Sequence, residues 1–119
     1  MTAQEYEANI SDIVSLIKSH NSSAKVILIA PWYSDDIYDK LCRVNVIEKK
    51  KLYYEYNKVL KNISKKQDCI YVNPNPFIWE RISENYLSKY LTDWIHPNAS
   101  EGIRLFAEAF VSELSKVER

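Results

Sequence analysis

Two short apolar runs, Lys25-Val26-Ile27-Leu28-Ile29-Ala30 and Cys69-Ile70-Tyr71-Val72, are the segments of this chain that read as strands, and a long stretch of helical periodicity separates them. The first run is nearly continuous, rich in β-branched residues and stopped by Pro31, the pattern of a strand buried on both faces. The second is bounded by Lys65-Lys66-Gln67-Asp68 before it and Asn73-Pro74 after it. Strand, helix and strand in that order make a βαβ unit with a right-handed crossover, hence a parallel sheet. Such a sheet must be covered on both faces, and sheets usually have about four to six strands. Two strands therefore imply that the chain pairs with another or forms part of a larger domain.

The remaining elements are helical. Thr2 and Glu5 form a capping box, and Tyr6, Ile10, Ile13, Val14 and Ile17 follow at helical spacing, which predicts a helix over 3–19 ended by His20-Asn21-Ser22-Ser23. After a polar loop at 33–43, a second helix is expected from Val44 to Lys65. Leu52, Tyr56, Val59, Leu60 and Ile63 form its apolar face, and Lys50, Lys51, Lys58, Lys61 and Lys65 its solvated one. Pro74 and Pro76 open a segment, Phe77 to Leu91, of one or two short helices. Ile103, Phe106, Ala107, Phe110, Val111 and Leu114 mark a final helix, for which Asn98 with Glu101 three residues later is the expected cap. The order is α-β-α-β-α-α without repeat or linker, so residues 1–119 read as a single domain.

Composition narrows the class of function. Sixteen Lys+Arg balance sixteen Asp+Glu in 119 residues, a net charge of zero that offers no electrostatic footprint for nucleic acid or an anionic membrane. The Lys49-Lys50-Lys51 run beside Tyr53, Tyr54 and Tyr56 reads as a solvated helix face. No apolar run approaches the roughly 18 residues of a membrane-spanning helix, and the acidic start with Glu5 and Glu7 is unlike a signal peptide, so the default expectation is cytoplasmic. Cys42 and Cys69 are too few and too isolated for a metal-ligand cluster or a disulfide framework; no metal and no cofactor are expected.

The residues that point to chemistry lie near the end, in Asp93-Trp94-Ile95-His96-Pro97-Asn98. Asp93 is near enough in sequence to accept a hydrogen bond from one imidazole nitrogen of His96, leaving the other free to take a proton. On spacing alone the same pair also fits a loop histidine bonded to a nearby acid.

Placed directly before a C-terminal amphipathic helix, this hexapeptide resembles the last sequence block of the SGNH, or GDSL-type, esterases and acylhydrolases. The resemblance extends upstream through an opening helix, a strand ending Leu28-Ile29-Ala30-Pro31, a helix bearing Tyr53 to Asn57, and a strand at Tyr71-Val72-Asn73. It covers nearly all 119 residues but matches only the family's C-terminal half. It implies a partial flavodoxin-like α/β/α sandwich with a short parallel sheet, and metal-free hydrolysis of ester bonds with His96 as general base and Asp93 as the residue orienting it. The family's nucleophilic serine, in a Gly-Asp-Ser block, and its oxyanion-hole glycine and asparagine have no counterpart here, since the single glycine is Gly102.

The expectation is thus the C-terminal portion of a serine esterase, inactive alone and acting on a small-molecule or carbohydrate ester once an N-terminal segment completes it. Trp32, Tyr33 and Asp35 follow the first strand, at the sheet edge where α/β proteins place their sites, and are candidates for lining an acyl or sugar pocket; rim packing is their other reading. Ser34 reads as a loop serine capping Asp36 or Ile37, not as a substitute nucleophile. The alternative function is a non-catalytic module that self-associates into a homo-oligomer through exposed sheet or helix faces.

Overall fold

The structure, a computed structural model, describes residues 1–32, 46–83, 90 and 97–117, without the side chains of 46–49 and 83. The elements are α1 (Ala3–His20), β1 (Ile27–Ile29), α2 (Val46–Lys66), β2 (Ile70–Val72), α3 (Asn75–Ser83) and α4 (Glu101–Val117). β1 and β2 pair as a short parallel sheet. Two compact units divide the chain: Met1–Ala30 with Ile47–Tyr71, and Pro31–Val46 with Val72–Arg119.

In the first unit, α1 starts with the expected capping box. The Glu5 amide donates to Thr2 Oγ1 at 3.1 Å, and the Thr2 amide donates to Glu5 Oε2 at 2.8 Å. The helix sets Tyr6, Ile10 and Val14 into a core with Val59 and Ile63 of α2 and with Val26, Leu28 and Cys69. The Ile70 amide donates to the Val26 carbonyl at 2.9 Å and helps to register the sheet. β1 does not have two buried faces. Leu28 is half-buried, whereas Ile27 and Ile29 are 37% and 40% exposed. Successive strand residues point to opposite faces; Val26 and Leu28 pack toward the helices, and the opposite face of β1 is only partly covered.

The inward face of α2 also differs from the apolar reading. Tyr53, Asn57, Val59, Leu60, Ile63 and Ser64 are buried, while Leu52 is exposed. Tyr53, Asn57, Leu60 and Ser64 follow the i, i+4, i+7, i+11 line of one helix stripe, so two polar residues belong to the core face. Ser64 is accommodated there because its hydroxyl donates to the Lys61 carbonyl at 2.7 Å, within its own helix. α2 ends through a left-handed residue, Asp68 (φ 54°), and the Cys69 amide donates back to the Ser64 carbonyl at 2.8 Å. That six-to-one bond is the signature of a Schellman termination.

In the second unit, α3 and α4 pack through Ile78, Tyr90, Leu105 and Ala109, joined by Trp32, Phe77, Ile82 and Phe106. The sequence places an apolar residue at nearly every third or fourth position of α4 from Ile103 onward, and Leu105, Phe106 and Ala109 are the ones turned into this core. The Asn98 side-chain oxygen caps α4 by accepting from the Gly102 amide at 2.8 Å. Gly102 is buried and lies too close to the main chain of Tyr90 and Pro97 for a side chain to fit.

Candidate active site

Asp93, His96, Tyr33, Asp35 and Ser34 lie outside the described residues. Trp32 is described. It is half-buried and its ring stacks on Phe106, with centroids 6.4 Å apart and planes 9° from parallel. Aromatic surface in such an arrangement contributes packing energy to the second unit.

What the structure describes of the candidate site is its frame. Tyr90 and Asn98 flank the Asp93-x-x-His96 segment, and the Asn98 amide donates to the Tyr90 carbonyl at 2.8 Å. Asn98 therefore has two functions: its main chain ties to Tyr90, and its side chain starts α4. The Ile103 amide adds a bond to the Asn98 carbonyl at 3.0 Å. The anchor residues on either side of the motif are in this way fixed to each other and to the first turn of a helix.

A second frame holds the exits of the two strands. Asn75 is fully buried, and its side-chain amide donates both to the Pro31 carbonyl and to Asn73 Oδ1, each at 2.9 Å. Its own main-chain amide donates to Asn73 Oδ1 at 3.1 Å, an Asx turn. Pro31 follows β1 and Asn73 follows β2, so one buried asparagine ties together the points where both strands leave the sheet. Those are the C-terminal strand ends, where sites of open α/β sheets lie. Sequence reasoning passed over Asn75. The available signal was the Asn-Pro-Asn-Pro run at 73–76, whose side chains compete for nearby backbone amides.

An open apolar groove lined by Phe77, Ala107, Glu108, Val111 and Ser112 lies elsewhere on the second unit, and Trp32 is not among its walls. No group of three or more potential metal ligands occurs among the described residues.

Comparison with known proteins places this geometry in a fold. No protein-family model and no curated protein matches the chain. Among solved structures, a GDSL-lipase-like protein from Parabacteroides merdae is 17% identical with a TM-score of 0.76, over 96% of this chain and 50% of that one. The chain has the fold of half a GDSL-type hydrolase. An α/β hydrolase from the metagenome of Lake Arreo matches all of this chain and 50% of its own at a TM-score of 0.72 and 17% identity. A catalytic mutant of an acetylxylan esterase from Geobacillus stearothermophilus matches 95% of this chain and 47% of its own at 0.68 and 23%. The chain thus spans about half the length of the hydrolases whose fold it shares, and the short two-stranded sheet belongs to that half-length GDSL-type fold.

Proposed function

We infer that this chain is the base-and-orienter portion of an SGNH-type ester hydrolase. The observation that carries the reading is a fold match across almost the whole chain to half of several esterases, together with Asp93-Trp94-Ile95-His96 immediately before the cap of α4. In this reading His96 takes the proton of a serine hydroxyl supplied by the complementary segment as its oxygen attacks the acyl carbon. It then returns the proton to the departing alkoxide. Asp93 accepts a hydrogen bond from the other ring nitrogen, fixing the tautomer and stabilising the imidazolium. Trp32, Tyr33 and Asp35 line the acyl or sugar side of the pocket, and the substrate is a small-molecule or carbohydrate ester. The acetylxylan esterase among the structural neighbours favours the carbohydrate class.

The sequence carries no Gly-Asp-Ser block. Loss of such a serine costs on the order of a millionfold in turnover, and loss of an oxyanion donor roughly a hundred- to a thousandfold. The isolated chain is accordingly inert. The test measures aryl acetate hydrolysis by the purified 119-residue protein and by a completed domain carrying a serine-bearing segment. Turnover should be absent in the first, present in the second, and abolished there by His96→Ala. His96-dependent turnover by the isolated chain, or a completed domain indifferent to His96, would sink the reading.

A further inference from the structure

Two phenols of the first unit face each other between its helices. Tyr6 stands in the first turn of α1, where its amide donates to the Thr2 carbonyl at 3.0 Å, and Tyr56 stands on α2. Their ring centroids are 4.5 Å apart and their planes 32° from parallel. The geometry is pinned from both sides. Tyr6 packs against the core of Val14, Val59 and Ile63, and the Tyr56 hydroxyl donates to the Met1 carbonyl at 2.5 Å. Both residues are half-buried, so the fold orders the pair while solvent still reaches it.

The arrangement has a chemical consequence beyond packing. Burial, and then the neighbouring Tyr56 hydroxyl, raise the Tyr6 hydroxyl above its ordinary value, so the oxygen-bearing ends of the two rings lie near each other. A phenol that loses an electron also loses its proton, and the resulting phenoxyl carries unpaired spin on the ring carbons beside the oxygen. Two such rings in contact can join there. Other oxidisable side chains of this unit are less suited. Tyr53 and Tyr54 meet edge to face, at 5.3 Å and 71°, and are successive residues of one helix whose side chains point in different directions. Tyr53 is buried besides, and its hydroxyl is closed to solvent. Cys69 borders the same core as Tyr6, but burial pushes its thiol up and keeps it in the less readily oxidised protonated form.

We propose that Tyr6 and Tyr56 are a modification site, at which a one-electron oxidant of the activated-peroxidase class joins α1 to α2 through a dityrosine bond. Each phenol gives up one electron to the oxidant and one proton to water. The two phenoxyls combine by a carbon–carbon bond between the ring positions beside the oxygens, and the hydrogens on those carbons then shift to the oxygens, restoring both phenols. The product has two hydrogens fewer, and the oxidant has taken up two electrons. The bond closes a loop of roughly 50 residues and constrains the unfolded chain as a disulfide of that span does. This reading is independent of the esterase chemistry.

The test illuminates the dilute 119-residue chain with tris(bipyridine)ruthenium and persulfate, a one-electron oxidant whose persulfate takes up both electrons and leaves as two sulfates. The expected product is a monomer lighter by two hydrogens, with dityrosine fluorescence and with the tryptic peptides 1–18 and 52–58 joined. Tandem fragmentation should place the bond on Tyr6 and Tyr56. The link should be lost in Tyr6→Phe and in Tyr56→Phe, each of which keeps the ring and should keep its helical circular dichroism. It should be retained in Tyr54→Phe, which removes a 64% exposed phenol able to join separate chains. Oxidation of the wild-type chain in urea should abolish it, since the contact then no longer exists. The proposal is overturned by a monomer link that survives either Tyr6→Phe or Tyr56→Phe, or by an equal yield in urea. It is equally overturned if oxidation yields only chains joined through Tyr54 or changes Cys69 alone.

Discussion

The main-chain carbonyl oxygen of Tyr90 lies 2.0 Å from the point where a Cβ on Gly102 would stand. Pro97 Cα lies 2.9 Å from the same point, so the obstruction on both sides is backbone. The lone glycine of the chain is therefore what allows α4 to begin against the residues that flank Asp93 and His96.

Gly102→Ala should destabilise the protein although alanine is the better helix former. The helix-propensity gain is about 1 kcal/mol, whereas forcing a methyl group into fixed backbone costs typically 1–3 kcal/mol and more where nothing flexible can yield. A lower urea midpoint with an unchanged slope is the expected outcome. An equal or higher midpoint would show that Tyr90 and Gly102 are not in this contact.

Asn75→Ala removes the donor to the Pro31 carbonyl and to Asn73 at a fully buried site, and should cost about 2–3 kcal/mol. Asn75→Asp has nearly the same shape but supplies no amide donor and brings a charge into a buried position, so it should be no better than alanine. Thermal melts of the two variants decide this. A tolerated aspartate would mean that the donor to Pro31 contributes nothing.

Lys18→Met should lower stability by about 1 kcal/mol. The ammonium donates to the carbonyls of Gln67 and Asp68, at 2.9 Å for the latter, where α2 ends and a cation is favoured by the helix dipole. Methionine keeps the apolar stem over the helix and removes the charge. The difference between the two proteins should shrink in high salt, and a salt-independent difference would assign the loss to packing alone.

Tyr71 supplies a pH dependence. Burial, with smaller contributions from Tyr53 and then Tyr6, pushes its hydroxyl from 10.0 up to about 12. The unfolded chain then ionises first, so between about pH 10 and 12 the folded state holds the extra proton and stability falls as pH rises. The contribution is complete below pH 10 and lost above 12. Tyr71→Phe should flatten that alkaline slope in denaturation curves taken across the window; an unaltered slope would assign the titration to another group.

The helices were legible because their periodicity and punctuation agree. The Thr2–Glu5 box and the Asn98 cap both form, and α1 and α2 end within about one residue of the sequence expectation. The faces were less legible. Hydrophobicity assigned Leu52 to the core side of α2, but the stripe that turns inward carries Asn57 and Ser64, and a serine whose hydroxyl bonds within its own helix, as Ser64 does, leaves no trace in an apolar pattern. The continuous run at 25–30 predicted two buried faces for β1, yet a run of apolar residues records what a strand is suited to contact and not what covers it. Asn75 was invisible for a related reason: its importance comes from Pro31, 44 residues away. Asp93 and His96 came from the sequence alone and lie outside the described residues, while the Tyr90–Asn98 and Pro31–Asn75 ties came from the structure.

Among the described residues β1 pairs with β2 alone, and its three-residue length limits what its other edge can do in solution. A strand of Ile27–Ile29 offers only two or three outward backbone groups, too few to hold a strand from another molecule by hydrogen bonds alone. Short edges resist runaway sheet growth, so the chain should stay dispersed at concentrations where a longer bare strand of the same composition would seed fibres.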